Sequence, residues 1–108
     1  MNREEFLRQA EENFRHCIEI MKRKNADYGG PVDPFGNFKN SEMVGVEMEK
    51  GILVRIMDKI SRISILIDRK GPPEVVDEKI EDTILDGINY LNILLLRLQA
   101  KAKKRVDL

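Results

Sequence analysis

The chain carries one cysteine (Cys17), one histidine (His16) and no tryptophan in 108 residues. A lone thiol cannot build a disulfide framework, and zinc sites draw on several Cys or His ligands, so both are excluded within a single chain. A cysteine nucleophile served by a separate histidine is excluded too, because His16 and Cys17 are sequence neighbours. Charge of one sign is also lacking: Lys+Arg is 19 and Asp+Glu is 19, a formal net charge of +0. That argues against direct nucleic-acid binding, which normally needs a basic excess on one face. No apolar run approaches the ~18 residues of a membrane span, and Met1-Asn2-Arg3-Glu4-Glu5 does not read as a signal peptide. The expectation is a cytoplasmic protein with no membrane partner, its single thiol suited to a reducing compartment. Site chemistry is left to carboxylates, amides, tyrosine and basic side chains.

What is present is helical periodicity. Leu7, Ala10, Phe14, Cys17, Ile18 and Met21 recur at three- and four-residue steps in a first segment. Ile52, Leu53, Ile56, Ile60, Ile63 and Ile67 do so from about 51 to 69, where Gly71-Pro72-Pro73 stops the helix. Ile80, Ile84, Ile88, Leu91, Leu95 and Leu98 run down a third segment from about 74 to 103. Its acidic first turns (Glu74, Asp77, Glu78) and basic end (Lys101, Lys103, Lys104, Arg105) suit the helix dipole. Between the first two helices, residues 28–38 are rich in turn formers yet hold Tyr28, Phe35 and Phe38, half of the aromatics. This reads as an ordered loop packed on the bundle, followed by a short helix near 41–50 capped by Asn40 or Ser41. The expected fold is all-α: an antiparallel bundle of three long helices plus a short one, in one domain (1–108) with a frayed tail from about 102. His16, Cys17, Met43, Met48 and Met57 read as packing residues.

Going around the third helix at 100° per residue, Glu78, Asp82, Asp86 and Asn89 fall together, away from the isoleucine–leucine stripe. Asp82 and Asp86 are like charges at i,i+4, with no basic residue between 80 and 96 to offset them. The same side continues into Ile93 and Leu96, in a stretch apolar nearly all round, which places the acids at the mouth of a covered groove. Two readings stay open for them: a solvated acidic face, or oxygen ligands for Mg²⁺ or Mn²⁺. On the second helix, Arg55, Asp58, Lys59 and Arg62 share a face, either as ordinary surface charge or as a phosphate site beside a third carboxylate. Lys24, Asn25, Asp27 and Tyr28 end the first helix, where they either contact a ligand or only shape the turn.

Taken in order, Lys24-Asn25-Ala26-Asp27-Tyr28-Gly29, Asp58-Lys59-Ile60-Ser61-Arg62-Ile63 and Glu81-Asp82-Thr83-Ile84-Leu85-Asp86-Gly87-Ile88-Asn89-Tyr90 resemble the nucleotide-modification-associated domains of small phage and archaeal proteins. These are similar to the all-α NTP pyrophosphatases, the superfamily of the MazG-like and dimeric dUTPase families, and the resemblance spans roughly residues 5 to 98. It implies Mg²⁺-dependent hydrolysis of a nucleoside triphosphate to the monophosphate and pyrophosphate, by a homodimer or homotetramer. The family's metal signature is Glu-x-x-Glu on one helix and Glu-x-x-Asp on a later one, often with a tyrosine four residues on. Asp86 and Tyr90 match the later half, Thr83 stands at its upstream acid, Asp58 matches the second acid of the earlier pair, and Arg55 stands at the first. On this pattern Asp58, Asp82 and Asp86 would hold the metal, and Glu78 or Asp82 would orient the attacking water. Lys59 and Arg62, with Arg55 or Lys24, would stabilise the departing pyrophosphate. Asn89 would fix a ligand or touch sugar, and Tyr28 or Phe38 would stack on the base. Two other functions remain open: a nucleotide-binding or regulatory bundle without turnover, and a non-catalytic helical oligomerisation module.

Overall fold

A computed structural model describes residues 1–25, 33–69 and 80–107, with side chains of the last stretch through Lys104. They form three α-helices, α1 (Arg3–Lys24), α2 (Met48–Asp68) and α3 (Ile80–Asp107), and a 3₁₀ segment (Gly36–Val44). The described residues contain no strand, so the chain is an all-α helical bundle. No described helix is long and apolar enough to cross a membrane.

Local chemistry sets the helix ends. Asn2 and Glu5 form a reciprocal capping box at the start of α1: the Asn2 side-chain oxygen accepts the Glu5 N–H at 2.9 Å, and a Glu5 carboxylate oxygen accepts the Asn2 N–H. Lys22, Arg23 and Lys24 complement the dipole at its end. The short helix lies at 36–44 rather than 41–50, and it is 3₁₀. The Asp33 carboxylate accepts the Phe35 N–H at 2.9 Å, and its carbonyl accepts that of Gly36, which starts an i→i+3 pattern before Asn40 is reached. Gly45, at φ 78°, ends the segment in the left-handed conformation. Helix α2 then begins at Met48, three residues before the predicted start. Helix α3 runs to Asp107, beyond the predicted end. The predicted start of the third helix at 74 and the Gly71-Pro72-Pro73 stop lie outside the described residues.

Helices α2 and α3 are antiparallel, as two ion pairs in register show: Glu49 meets Arg97 at 2.7 Å and Lys59 meets Asp86 at 3.3 Å. Met48, Ile52 and Ile56 form the buried core, covered by Phe35, Phe38, Tyr90, Ile93 and Leu94. The aromatic connection is therefore ordered where it is described, from Asp33 onward. Among the described elements, helix α1 packs on α3. Asn89 fixes it there by donating its amide to the Cys17 carbonyl at 3.0 Å, while the Cys17 thiol points to the Leu85 carbonyl. Burial pushes the Cys17 thiol pKa up, with Asp86 adding to the effect.

The predicted apolar stripes are only partly buried. Of the first, only Cys17 is buried, whereas Leu7, Phe14 and Ile18 are exposed. Of the second, Ile52 and Ile56 are buried, whereas Leu53, Ile60 and Ile67 are exposed. On α3, Ile84, Leu91, Leu95 and Leu98 are exposed, and the inward side carries Thr83, Asp86, Asn89, Tyr90, Ile93, Leu94 and Arg97. Polar groups can face inward here because another helix supplies their partners, as for Asn89, Asp86 and Arg97. Three packing assignments change with this: His16 is exposed, and of the three methionines only Met48 is buried, Met43 and Met57 being open to solvent. The chain exposes 8676 Å², roughly 2,500 Å² more than size scaling gives for a compact monomer of this mass.

Candidate functional site

The antiparallel α2–α3 pair, the end of α1 and the 3₁₀ segment enclose a cavity of about 770 Å³. That lies within the roughly 300–1,000 Å³ range of small-molecule sites. Its apolar wall is Phe35, Phe38, Tyr90 and Ile93. Phe38 and Tyr90 meet edge to face, with centroids 6.2 Å apart at 87°. The charged side of the same cavity carries Lys24, Arg55 and Asp86. The Arg55 guanidinium lies over the Phe38 ring at 4.8 Å, and the Lys59 ammonium sits 6.0 Å from the Tyr90 centroid.

Asp86 is the centre of the polar side. Its carboxylate takes the Lys24 ammonium on one oxygen at 2.8 Å and the Lys59 ammonium on the other at 3.3 Å. Three helices thus meet at one carboxylate, whose side chain is 20% exposed. Lys59 rises from the α2 face that packs on α3, one turn beyond Arg55. Beyond Arg55 and Tyr90 lies a second, open groove of about 670 Å³, which also holds Asp58, Lys59, Arg62 and Arg69. Arg55, Lys59 and Arg62 stand at three-, four- and seven-residue steps, so they line one face of α2, and Arg69 follows at its C-cap.

The sequence candidates divide accordingly. Lys24, Phe38, Arg55, Asp86, Asn89 and Tyr90 line the aromatic cavity. Lys59 reaches it through Asp86. Asp58 and Arg62 belong to the neighbouring groove, and Asp82 is exposed. Glu78, Asp27 and Tyr28 lie outside the described residues. Asn89 has a structural task, since its amide holds α1 to α3. Asn25, the other candidate at the end of the first helix, lines the cavity too, and Phe35, Met21 and Ile93 do so without having been candidates. Phe35 was signalled by the aromatic density of the connection, and Ile93 by the apolar continuation of the acidic side. Nothing in the sequence singled out Met21.

The described donors do not by themselves fit a divalent cation. Among the described residues no group of three or more His, Cys, Asp or Glu side chains stands close enough to hold an ion. Both oxygens of Asp86 already face an ammonium. The arrangement offers an aromatic surface for a flat ring, beside cations for an anionic group. Compared with known proteins, the chain matches no family model, no curated protein and no solved structure.

Proposed function

We propose that this chain binds a nucleoside triphosphate in the aromatic cavity and hydrolyses it to the monophosphate and pyrophosphate. One observation carries the binding half: a wall of Phe35, Phe38 and Tyr90 stands directly beside the cations Lys24 and Arg55. A base gains stacking and apolar contact on the first, and phosphates gain charge-assisted hydrogen bonds from the second. The hydrolytic half comes from the resemblance of the three motifs to NTP pyrophosphatases. So does the Mg²⁺ or Mn²⁺ requirement. A panel of NTPs and dNTPs incubated with Mg²⁺ and assayed for pyrophosphate tests the whole reading. Release of pyrophosphate from at least one of them is expected, together with a raised melting temperature on nucleotide addition. No stabilisation by any nucleotide would remove the binding half.

Two features favour a second reading, binding without turnover. Asp86 is engaged by two lysines, and Arg55 stands over Phe38 where the family pattern has its first acid. This reading predicts stabilisation by nucleotide that is indifferent to Mg²⁺, with no pyrophosphate formed.

The reading includes a second copy of the chain, as homodimer or homotetramer. Its support is the exposed stripe Ile84, Leu91, Leu95 and Leu98, with Phe6, Leu7 and Phe14 on α1. Obligate homodimers bury roughly 2,000–5,000 Å² in total, and the surplus surface of one chain is already of that size. The non-catalytic oligomerisation module rests on the same stripe, and the nucleotide assays separate it from the first two readings.

A further inference from the structure

Asp86 stands where a ligand's phosphate would be expected, between two ammonium groups on the polar side of an aromatic cavity. Lys24 comes from the last turn of α1 and Lys59 from the middle of α2, and the backbones of these helices do not pack on each other. The two ammonium groups converge only because one α3 carboxylate takes both. Without an anion between them they would repel and separate. Lys59 and Asp86 are each 20% exposed at the side chain, so solvent does little to weaken the arrangement, whereas Lys24 is half exposed and can swing. Arg55, held by the Phe38 ring rather than by a carboxylate, lines the same cavity as Lys24 and Asp86, and Lys103 lines it as well.

We propose that Asp86 is a specificity-determining residue that acts as an internal competitor for the anion site, so that only a polyphosphate displaces it. This rests on the reading of the cavity as a phosphorylated-ligand site. A small anion such as orthophosphate would replace one carboxylate partner with another group of similar size and leave Asp86 beside it as a like charge. A triphosphate chain reaches Lys24, Lys59 and Arg55 together, and the added contacts outweigh the lost pairs. The carboxylate also keeps the two ammonium groups together at the cavity's polar side before a ligand arrives, which lowers the ordering cost of binding.

The prediction runs opposite to what a ligand-holding carboxylate would do: Asp86→Asn tightens anion binding. Calorimetric titrations in EDTA, with no divalent cation, compare inorganic tripolyphosphate, orthophosphate and ATP on the full chain. Wild type is expected to bind tripolyphosphate and ATP and to show no heat with orthophosphate. Asp86→Asn is expected to bind tripolyphosphate about tenfold more tightly and to gain measurable orthophosphate binding. Unchanged or weaker tripolyphosphate binding by a folded Asp86→Asn overturns the proposal. Lys24→Gln, at a half-exposed position, gives a second arm: about a tenfold loss for tripolyphosphate is expected, and no loss in the folded variant overturns it. If wild type binds ATP but the two variants do not move in opposite directions, Asp86 is a structural ion-pair partner only and the cavity reading stands. If wild type binds neither ATP nor tripolyphosphate, the cavity reading itself falls and this inference with it.

Discussion

On the side of α3 that meets its neighbours, Thr83, Asp86, Asn89 and Arg97 are interleaved with Tyr90, Ile93 and Leu94. On the other side Ile84, Leu91, Leu95 and Leu98 stand in solvent, each more than a third exposed. A rule that ranks residues by hydrophobicity would exchange the two sides. What separates them is partnership. Three of the inward polar groups find a complementary group on another helix: a backbone carbonyl of α1 for Asn89, two ammonium groups for Asp86 and a carboxylate of α2 for Arg97. Among the described residues, nothing covers the outward Ile84, Leu91, Leu95 and Leu98. They are the surface on which a second copy would gain the most, since apolar burial contributes about 25 cal/mol per Å².

The comparison is broken or sharpened most strongly by paired truncations. Ile52→Ala removes a side chain from the centre of the core, and a loss of about 3 kcal/mol is expected at every protein concentration. Leu95→Ala, on the outward side, is expected to cost about 1 kcal/mol and only at concentrations where copies associate. Thermal melts over a hundredfold concentration range check both. A Leu95→Ala melt that equals wild type at every concentration would mean that the stripe stays uncovered.

A smaller effect is expected where the 3₁₀ segment meets α2. Gly51 sits inside a helix, where alanine is ordinarily preferred by about 1 kcal/mol. A Cβ built there would stand 2.7 Å from both Cβ and Oγ of Ser41. Gly51→Ala is therefore expected to destabilise by about 1–2 kcal/mol by pushing away the segment that carries Phe38. Denaturant titration reads this directly, and nucleotide binding should weaken in parallel. A stabilised Gly51→Ala would show that the segment yields without cost.

The smallest expected effect is electrostatic and depends on pH. Glu49 accepts from Arg97 at 2.7 Å, with the Lys101 ammonium at 3.5 Å, and the Arg97 hydrogen bond holds its pKa below the usual carboxylate value. A carboxyl whose folded pKa is lowered adds stability above its unfolded pKa, about 4.3 for Glu, and loses it as pH falls through the folded value. Glu49→Gln is expected to cost about 1 kcal/mol at neutral pH and to converge on wild type below the folded pKa. A gap between the two proteins that stays constant from neutral to strongly acidic pH would assign the effect to packing rather than charge.

Much of the fold was legible because helix periodicity is local. The stripes identify three helices whatever surrounds them, and an acidic start and basic end add to the third. The 3₁₀ segment was not, because it hangs on the Asp33 side chain closing a turn around Pro34, a hydrogen bond that hydrophobic spacing does not register. For the site, the aromatics Phe35 and Phe38 stood out by being scarce in the chain and dense in one connection. The relation of Asp58, Asp82 and Asp86 was not legible. Each lies on a plausible face, but whether three carboxylates share an ion depends on how two helices are rotated about their own axes. The structure sends Asp58 to the cationic groove, Asp82 to solvent and Asp86 to two lysines.

The amino-acid order by itself determined that the chain is helical, where its helices run to within a few residues, and which side chains have charge or aromatic character to offer. These follow from contacts between residues three or four apart, which every helix makes for itself. Tertiary structure alone decided which side of α3 faces inward, that Asn89 ties α1 down, and that Lys24 and Lys59 meet at Asp86 across 62 and 27 residues of sequence. The reason is that helix rotation is set by the sum of many cross-helix contacts. A few well-partnered polar groups can turn a helix away from its most hydrophobic side.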